Sequence, residues 1–179
     1  NIVQAMKIFA HPGGDEKEPI DINSEIEKTI VITRNEWKYV AELITDFDAA
    51  LPSVLCHRAE FNQVILNLIV NAAHAIADAN DERSSERGTS KISTALAGNW
   101  AEIRISDTGP GIPEEIRHRI FDLFFTTKEP GRGTGQGLAI AHSVIVDKHD
   151  GSIDIETEEG KGTAVVIRLP IHTKLSENE

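Results

Sequence analysis

The sequence predicts an α/β two-layer sandwich of the α+β kind, in which helices pack on one face of a mixed, mostly antiparallel β-sheet. Three observations carry that expectation. Two apolar helical runs, near residues 57–78 and 137–148, are too hydrophobic to lie exposed. Strand-like segments cluster around them, and two pairs of these are joined by short glycine-containing turns, which suit antiparallel neighbours. The 179 residues, 40% of them hydrophobic, suffice for one sizeable core and hardly for two.

The elements follow in order. Residues 1–10, NIVQAMKIFA, repeat apolar positions at helical spacing and read as the end of a helix stopped by His11-Pro12-Gly13-Gly14. After a charged linker come a short strand at Pro19-Ile20-Asp21-Ile22, a helix over 23–34 and a strand within 38–47. The best-defined helix runs from His57 to about Asp78, because Phe61, Ile65, Leu68, Ile69, Ala72 and Ile76 share one face. Residues 78–90 are charged and read as a solvated loop. Strands near 91–97 and 100–107 turn at Gly98-Asn99, and Pro113 with Glu114 and Glu115 suits the start of a further helix. The second apolar helix, Gly137 to Lys148, ends at His149-Asp150-Gly151. Strands 152–157 and 163–169, joined by the turn from Glu158 to Gly162, close the fold before a tail at 171–179.

Composition narrows the partners. With 29 acidic and 18 basic residues the formal net charge is -11, which argues against nucleic acid or an anionic membrane as the partner. A phosphate ligand would need local donors. The single cysteine, Cys56, forms no internal disulfide, and with His57 it falls far short of a zinc set. No window reaches the ~18 consecutive apolar residues of a membrane span, and no signal peptide is visible. The chain therefore reads as cytoplasmic, and any membrane part of a parent receptor would lie outside it.

Three segments carry candidate chemistry. In AEIRISD, Asp107 shares the parity of Ile103 and Ile105, so alternation turns a carboxylate towards the core side, where it needs a partner. Thr108-Gly109-Pro110-Gly111 then lets a backbone or a flat ligand come close, although an ordinary turn before a helix has the same composition. In GRGTGQGLAIAH, Gly131, Gly133, Gly135 and Gly137 precede a helix, and such an entry exposes N–H groups to phosphate. A dinucleotide site of the Rossmann type would require a strand directly before it, and FDLFFTTKEP is not one. Beside the apolar face of the first long helix, Gln63, Asn67, Asn71, His74 and Asp78 fall within an arc of about 80° at ~100° per residue. That stripe is either a plain solvent face or a row of oxygen donors for a metal or water.

Together, NLIVNAAHAI, DTGPGI, FDLFFTTK and GTGQGLAI resemble the N, G1, F and G2 boxes of sensor histidine kinases, members of the superfamily that also holds gyrase, mismatch-repair ATPases and heat-shock chaperones. The boxes stand in family order over about residues 19–170, and FFTTKEPGRGTGQGLAIAH resembles the nitrogen-regulation type. The resemblance implies an ATP-binding catalytic domain at 19–170, with a lid over about Phe124 to Gly135, preceded at 1–18 by the end of a dimerisation helix and a linker. It implies that Asn71 ligates Mg²⁺, with Asn67 and His74 beside it in the catalytic set. Asp107 would accept from the adenine amino group, Gly109 and Gly111 would pass against the base, and Thr163 would help bind adenine. Lys128, Arg132, Gly133, Thr134, Gly135, Gly137 and Leu138 would line the phosphates. Phe121, Phe124 and Phe125 match the F box, either as core anchors of the lid hinge or as ligand contacts.

Two departures stand out. Gln136 replaces the leucine usual between the last two glycines, which concerns lid packing. None of the seven histidines has the family's acceptor context, like His-Glu-x-x-Asn-Pro. The resemblance thus implies kinase chemistry acting on a histidine of a separate dimerisation domain in a homodimer, followed by transfer to a response regulator receiver domain. In the hydrolases of the superfamily a glutamate one turn before the magnesium asparagine activates water; here that place is Asn67.

Overall fold

The computed structural model describes residues 16–80, 87–127 and 135–171. Strand β1 (Glu18–Ile20) leads into helix α1 (Ile22–Ile32). The Asp21 carboxylate accepts from the Ser24 N–H at 3.0 Å and caps that helix, which draws Ile22 out of the expected strand. Thr33 closes α1, and a short helix α2 (Arg34–Trp37) follows, tied back where the Trp37 indole donates to the Ile30 carbonyl. Strand β2 (Ala41–Asp46) comes next, then a strand the sequence did not announce, β3 (Val54–Cys56). β3 pairs antiparallel with β1 in a small separate sheet.

Helix α3 (Arg58–Ala79) is the long apolar helix. Strands β4 (Gly88–Ala97) and β5 (Trp100–Asp107) form the expected hairpin. The helix expected after Pro113 is only a six-residue 3-10 helix, Glu114–Arg119; none of its residues is buried, so no packed face extends it. Helix α4 (Gly137–His142) continues as a π-helical stretch, Ser143–Lys148, where one regular helix was expected. Strands β6 (Ser152–Glu158) and β7 (Gly162–Pro170) close the chain.

The main sheet has the order β2-β4-β5-β7-β6, with β2 parallel to β4 and the other neighbours antiparallel. Register decides which face is which. Ile92 lies opposite Ile105, and Ile103 opposite Ile167, so these side chains share the face that meets Phe61, Ile65, Leu68 and Ile69 of α3. The opposite face carries charge: Arg168 bridges Glu102 and Asp154 at 2.9 Å each, Lys91 pairs with Asp46 at 2.8 Å, and Arg104 pairs with Glu156. Such exposed pairs stabilise little individually. They do make that face unfit for a second helical layer, and the described residues form two layers. Among the described residues no helix is long and apolar enough to cross a membrane.

Two polar ties fix α3 in this frame. Glu25 of α1, only 2% exposed, accepts from Asn62 Nδ2 at 2.9 Å and Lys28 Nζ at 2.8 Å, and pairs with Arg58. Burial alone would raise its pKa, but the hydrogen bonds from Lys28 and Asn62 and the charges of Lys28 and Arg58 hold it lowered. At the start of α3, buried His149 contacts the Val144 carbonyl through Nδ1 at 2.7 Å and accepts the His57 N–H at Nε2 at 2.9 Å. Only the neutral ring protonated at Nδ1 makes both bonds.

Burial, the largest effect, lowers the pKa of His149 despite the Val144 carbonyl. Its unfolded value is about 6.5. Below that value the unfolded chain binds the proton more readily than the folded one, so this contribution is present above about pH 6.5 and is lost as pH falls. Urea unfolding should therefore show stability falling between pH 7 and 5, by at most about 1.4 kcal/mol per pH unit from this group. The slope should flatten in His149→Gln; an unchanged slope would mean that His149 is not the titrating group.

Candidate functional site

Between Phe61 and Ile76, helix α3 is covered everywhere except along Gln63, Asn67, Asn71, His74 and Ala75, which are half-open. The expected amide stripe is thus the one accessible line on a helix otherwise sunk in the core. A solvent-facing helix would instead show a broad face dominated by charged side chains. The start of α4 lies against the stripe: a methyl group added at Gly137 would stand 3.5 Å from Asn71 Nδ2 and 3.7 Å from Asn67 Cβ. Leu138, next along α4, is half-buried against the core.

A second group gathers at the end of β5. Asp107 is half-buried and, as its parity predicted, lies on the core side of the sheet, in register with Thr163 of β7. Burial raises its pKa, and the Gly109 and Thr163 N–H groups offset part of that rise. The Gly109 N–H donates to Oδ1 at 2.8 Å, which supplies a partner of the kind a buried carboxylate needs. Gly109 itself rests on α3: a Cβ there would come within 2.8 Å of Ala75 Cβ, one turn beyond Asn71. The two groups therefore border the same wet line of the helix. Gly111 has φ +75°, and a Cβ would stand 2.3 Å from the Glu158 carbonyl oxygen, so only glycine lets this loop meet the β6–β7 turn.

Phe124 donates its N–H to the Gly135 carbonyl at 2.8 Å, which brings together the two ends of the segment expected as a lid. The expected anchoring role divides among the aromatic residues. Phe121 packs on the core and lies 5.3 Å from the His142 ring. Phe124 is 65% exposed with φ +67°, so it anchors nothing in the core and holds a backbone shape that costs about 1–3 kcal/mol. The Arg119 guanidinium sits 4.5 Å from the Phe125 ring centre. Lys128, Arg132, Gly133 and Thr134 lie outside the described residues.

Two participants were missed in the sequence. Ala75 is one, since nothing local marks an alanine as the seat of a loop. Thr157 is the other: it shares the parity of Ile153 and Ile155, which was a legible signal, and its hydroxyl meets both Ile112 and Thr163. Among the described residues no group of three or more His, Cys, Asp and Glu could hold a metal. The stripe offers neutral amide oxygens instead, which suit a hard cation that is mostly ligated by a substrate's phosphates and water.

Residues 56–173 match the family described as histidine kinase-, DNA gyrase B- and HSP90-like ATPase. The chain is 31% identical over 173 residues to the signal transduction histidine-protein kinase AtoS of Escherichia coli K12, covering 96% of this chain and 27% of that protein. It is 30% identical over 180 residues to the sensory histidine kinase/phosphatase NtrB of Rhizobium leguminosarum, covering 93% of this chain and 45% of that one. It thus spans less than half the length of either relative. Among solved structures, the catalytic domain of the histidine kinase ThkA superposes with a TM-score of 0.74 at 29% identity, over 87% of this chain and 98% of that one.

Proposed function

Because the chain belongs to the histidine kinase-, DNA gyrase B- and HSP90-like ATPase family, we propose that it binds ATP·Mg²⁺ and transfers the γ-phosphoryl group to a histidine on a separate dimerisation segment, as one step of two-component signalling. The observation that supports this reading best is the half-open amide stripe of α3, bordered by the start of α4 at Asn67 and Asn71 and by the Asp107 loop at Ala75.

In this reading Asp107 accepts from the adenine amino group, while Gly109 and Gly111 let the base lie against backbone. Thr163 completes the adenine end. Asn71 offers its side-chain oxygen to Mg²⁺, and Asn67 and His74 hold the phosphates and ordered water beside it. The ion would neutralise charge developing on the phosphates. Gly135, Gly137 and Leu138 set the start of α4 against the triphosphate, and Lys128, Arg132, Gly133 and Thr134 are proposed to complete the lid. In the transfer, the bond from the γ-phosphorus to the bridging oxygen breaks, ADP leaves, and a bond to the imidazole nitrogen of the acceptor forms as that ring gives up its proton. The protein's share is positioning and electrostatics.

The reading also extends to the whole protein. Residues 1–18, of which 1–15 lie outside the described residues, are proposed to be the end of a dimerisation helix and a linker, in a homodimer on the cytoplasmic side, and the phosphoryl group to pass on to a response regulator. The purified chain with ATP·Mg²⁺ should remain unphosphorylated, yet should place acid-labile phosphate on a separately supplied dimerisation domain of its own parent. Label on the chain itself would make one of its own histidines the acceptor. No label on either, with ATP bound, would leave a nucleotide-binding module without transfer activity.

A further inference from the structure

Thr157 belongs to no motif singled out above, yet its hydroxyl stands where three parts of the site meet. Its Oγ1 accepts the Ile112 N–H at 2.9 Å, lies 3.2 Å from the Gly162 carbonyl oxygen, and lies 3.0 Å from the Thr163 hydroxyl. A hydroxyl has one proton to give and two lone pairs to receive with. One assignment satisfies all three contacts at once. Thr157 donates to the Gly162 carbonyl, and receives from the Ile112 N–H and from the Thr163 hydroxyl.

That assignment has a consequence at Thr163, which lies in register with Asp107 on the core side of the sheet. With its proton committed to Thr157, the Thr163 oxygen keeps only acceptor capacity for anything else. It can hold a water that donates to it, and it cannot itself donate to a ligand. Thr157 also ties the loop carrying Gly109 and Gly111 to the β6–β7 turn, a contact strengthened by the Gly160 N–H donating to the Pro110 carbonyl at 2.7 Å.

We propose that Thr157 is a positioning residue of the adenine subsite, fixing the Thr163 hydroxyl as an acceptor and holding the Asp107–Ile112 loop at its working distance. The inference rests on the ATP-binding reading above. Thr157→Val keeps the shape and removes the hydroxyl, whereas Thr157→Ser keeps the hydroxyl. Calorimetry with the full chain should show Thr157→Val binding ATP·Mg²⁺ and adenosine more weakly by the same factor, about 3- to 10-fold, the range for a net hydrogen bond. Competition by tripolyphosphate, which has no base, should be unchanged, and Thr157→Ser should bind as the native chain does.

Equal loss in the valine and serine variants would overturn the proposal, because the hydroxyl would then not be the active feature. So would native-like ATP affinity in Thr157→Val, or a loss that extends equally to tripolyphosphate, which is what general loosening of the fold would give. A native chain that binds no ATP at all would instead refute the functional reading itself.

Discussion

Asp107→Ala is expected to lower the affinity for ATP by about 10- to 150-fold, the effect of removing a charged hydrogen-bond acceptor. The carboxylate is half-buried and one of its oxygens is oriented by the Gly109 N–H at 2.8 Å, so its position is set before a base arrives. Inosine triphosphate carries an oxo group where adenine has an amino group, but its hypoxanthine still has an N1–H donor. Purine riboside triphosphate, with hydrogen in place of the amino group and N1 unprotonated, is the stricter control against general damage. Its affinity should be nearly the same for native and variant chains, because Asp107 has nothing to accept from it. An ATP affinity unchanged by the substitution would remove Asp107 from the site. Asn71→Ala should differ, weakening the Mg²⁺-dependent part of ATP binding and leaving adenosine binding intact.

The second large effect concerns water. General-base assistance is typically worth about 10²- to 10⁴-fold, and the hydrolases of this superfamily draw it from a glutamate one turn before the magnesium asparagine. Asn67 holds that place here, half-open on the stripe and against the start of α4. An amide has no basicity to offer near neutral pH and can only orient water. Bound ATP should therefore persist until an acceptor histidine brings its own nucleophilic nitrogen. With saturating ATP·Mg²⁺, phosphate release from the chain alone should stay far below about 1 s⁻¹, the lower end of ordinary enzyme turnover. Release at that rate or faster, abolished in Asn67→Ala, would mean that Asn67 supports hydrolysis and that the domain is an ATPase.

Legibility followed the range of the forces involved. The phase of α3 was readable because burial recurs at every turn: Phe61, Ile65, Leu68, Ile69, Ala72 and Ile76 are all buried. The β4–β5 and β6–β7 hairpins were readable because turn chemistry is local, and the parity of Asp107 because alternation along a strand is strict. Elements that depend on a distant partner were not readable. β3 is three residues long and exists as a strand because β1 lies beside it. The helix expected after Pro113 had its local signals and lacked a surface to pack on.

The sequence by itself determined the class of fold, the polar stripe of α3 and the family resemblance of the four boxes, since each is written in residue types at short, regular spacing. Only the tertiary structure decided that Ala75 seats Gly109, that the start of α4 lies against Asn67 and Asn71, and that Thr157 joins Ile112, Gly162 and Thr163. The contacts of Gly109 with Ala75, of α4 with α3 and of Thr157 with Ile112 close over tens of residues and depend on ångström-scale separations between backbones. Periodicity fixes which side of an element faces inward, but how closely two such sides approach is settled only when the whole core packs.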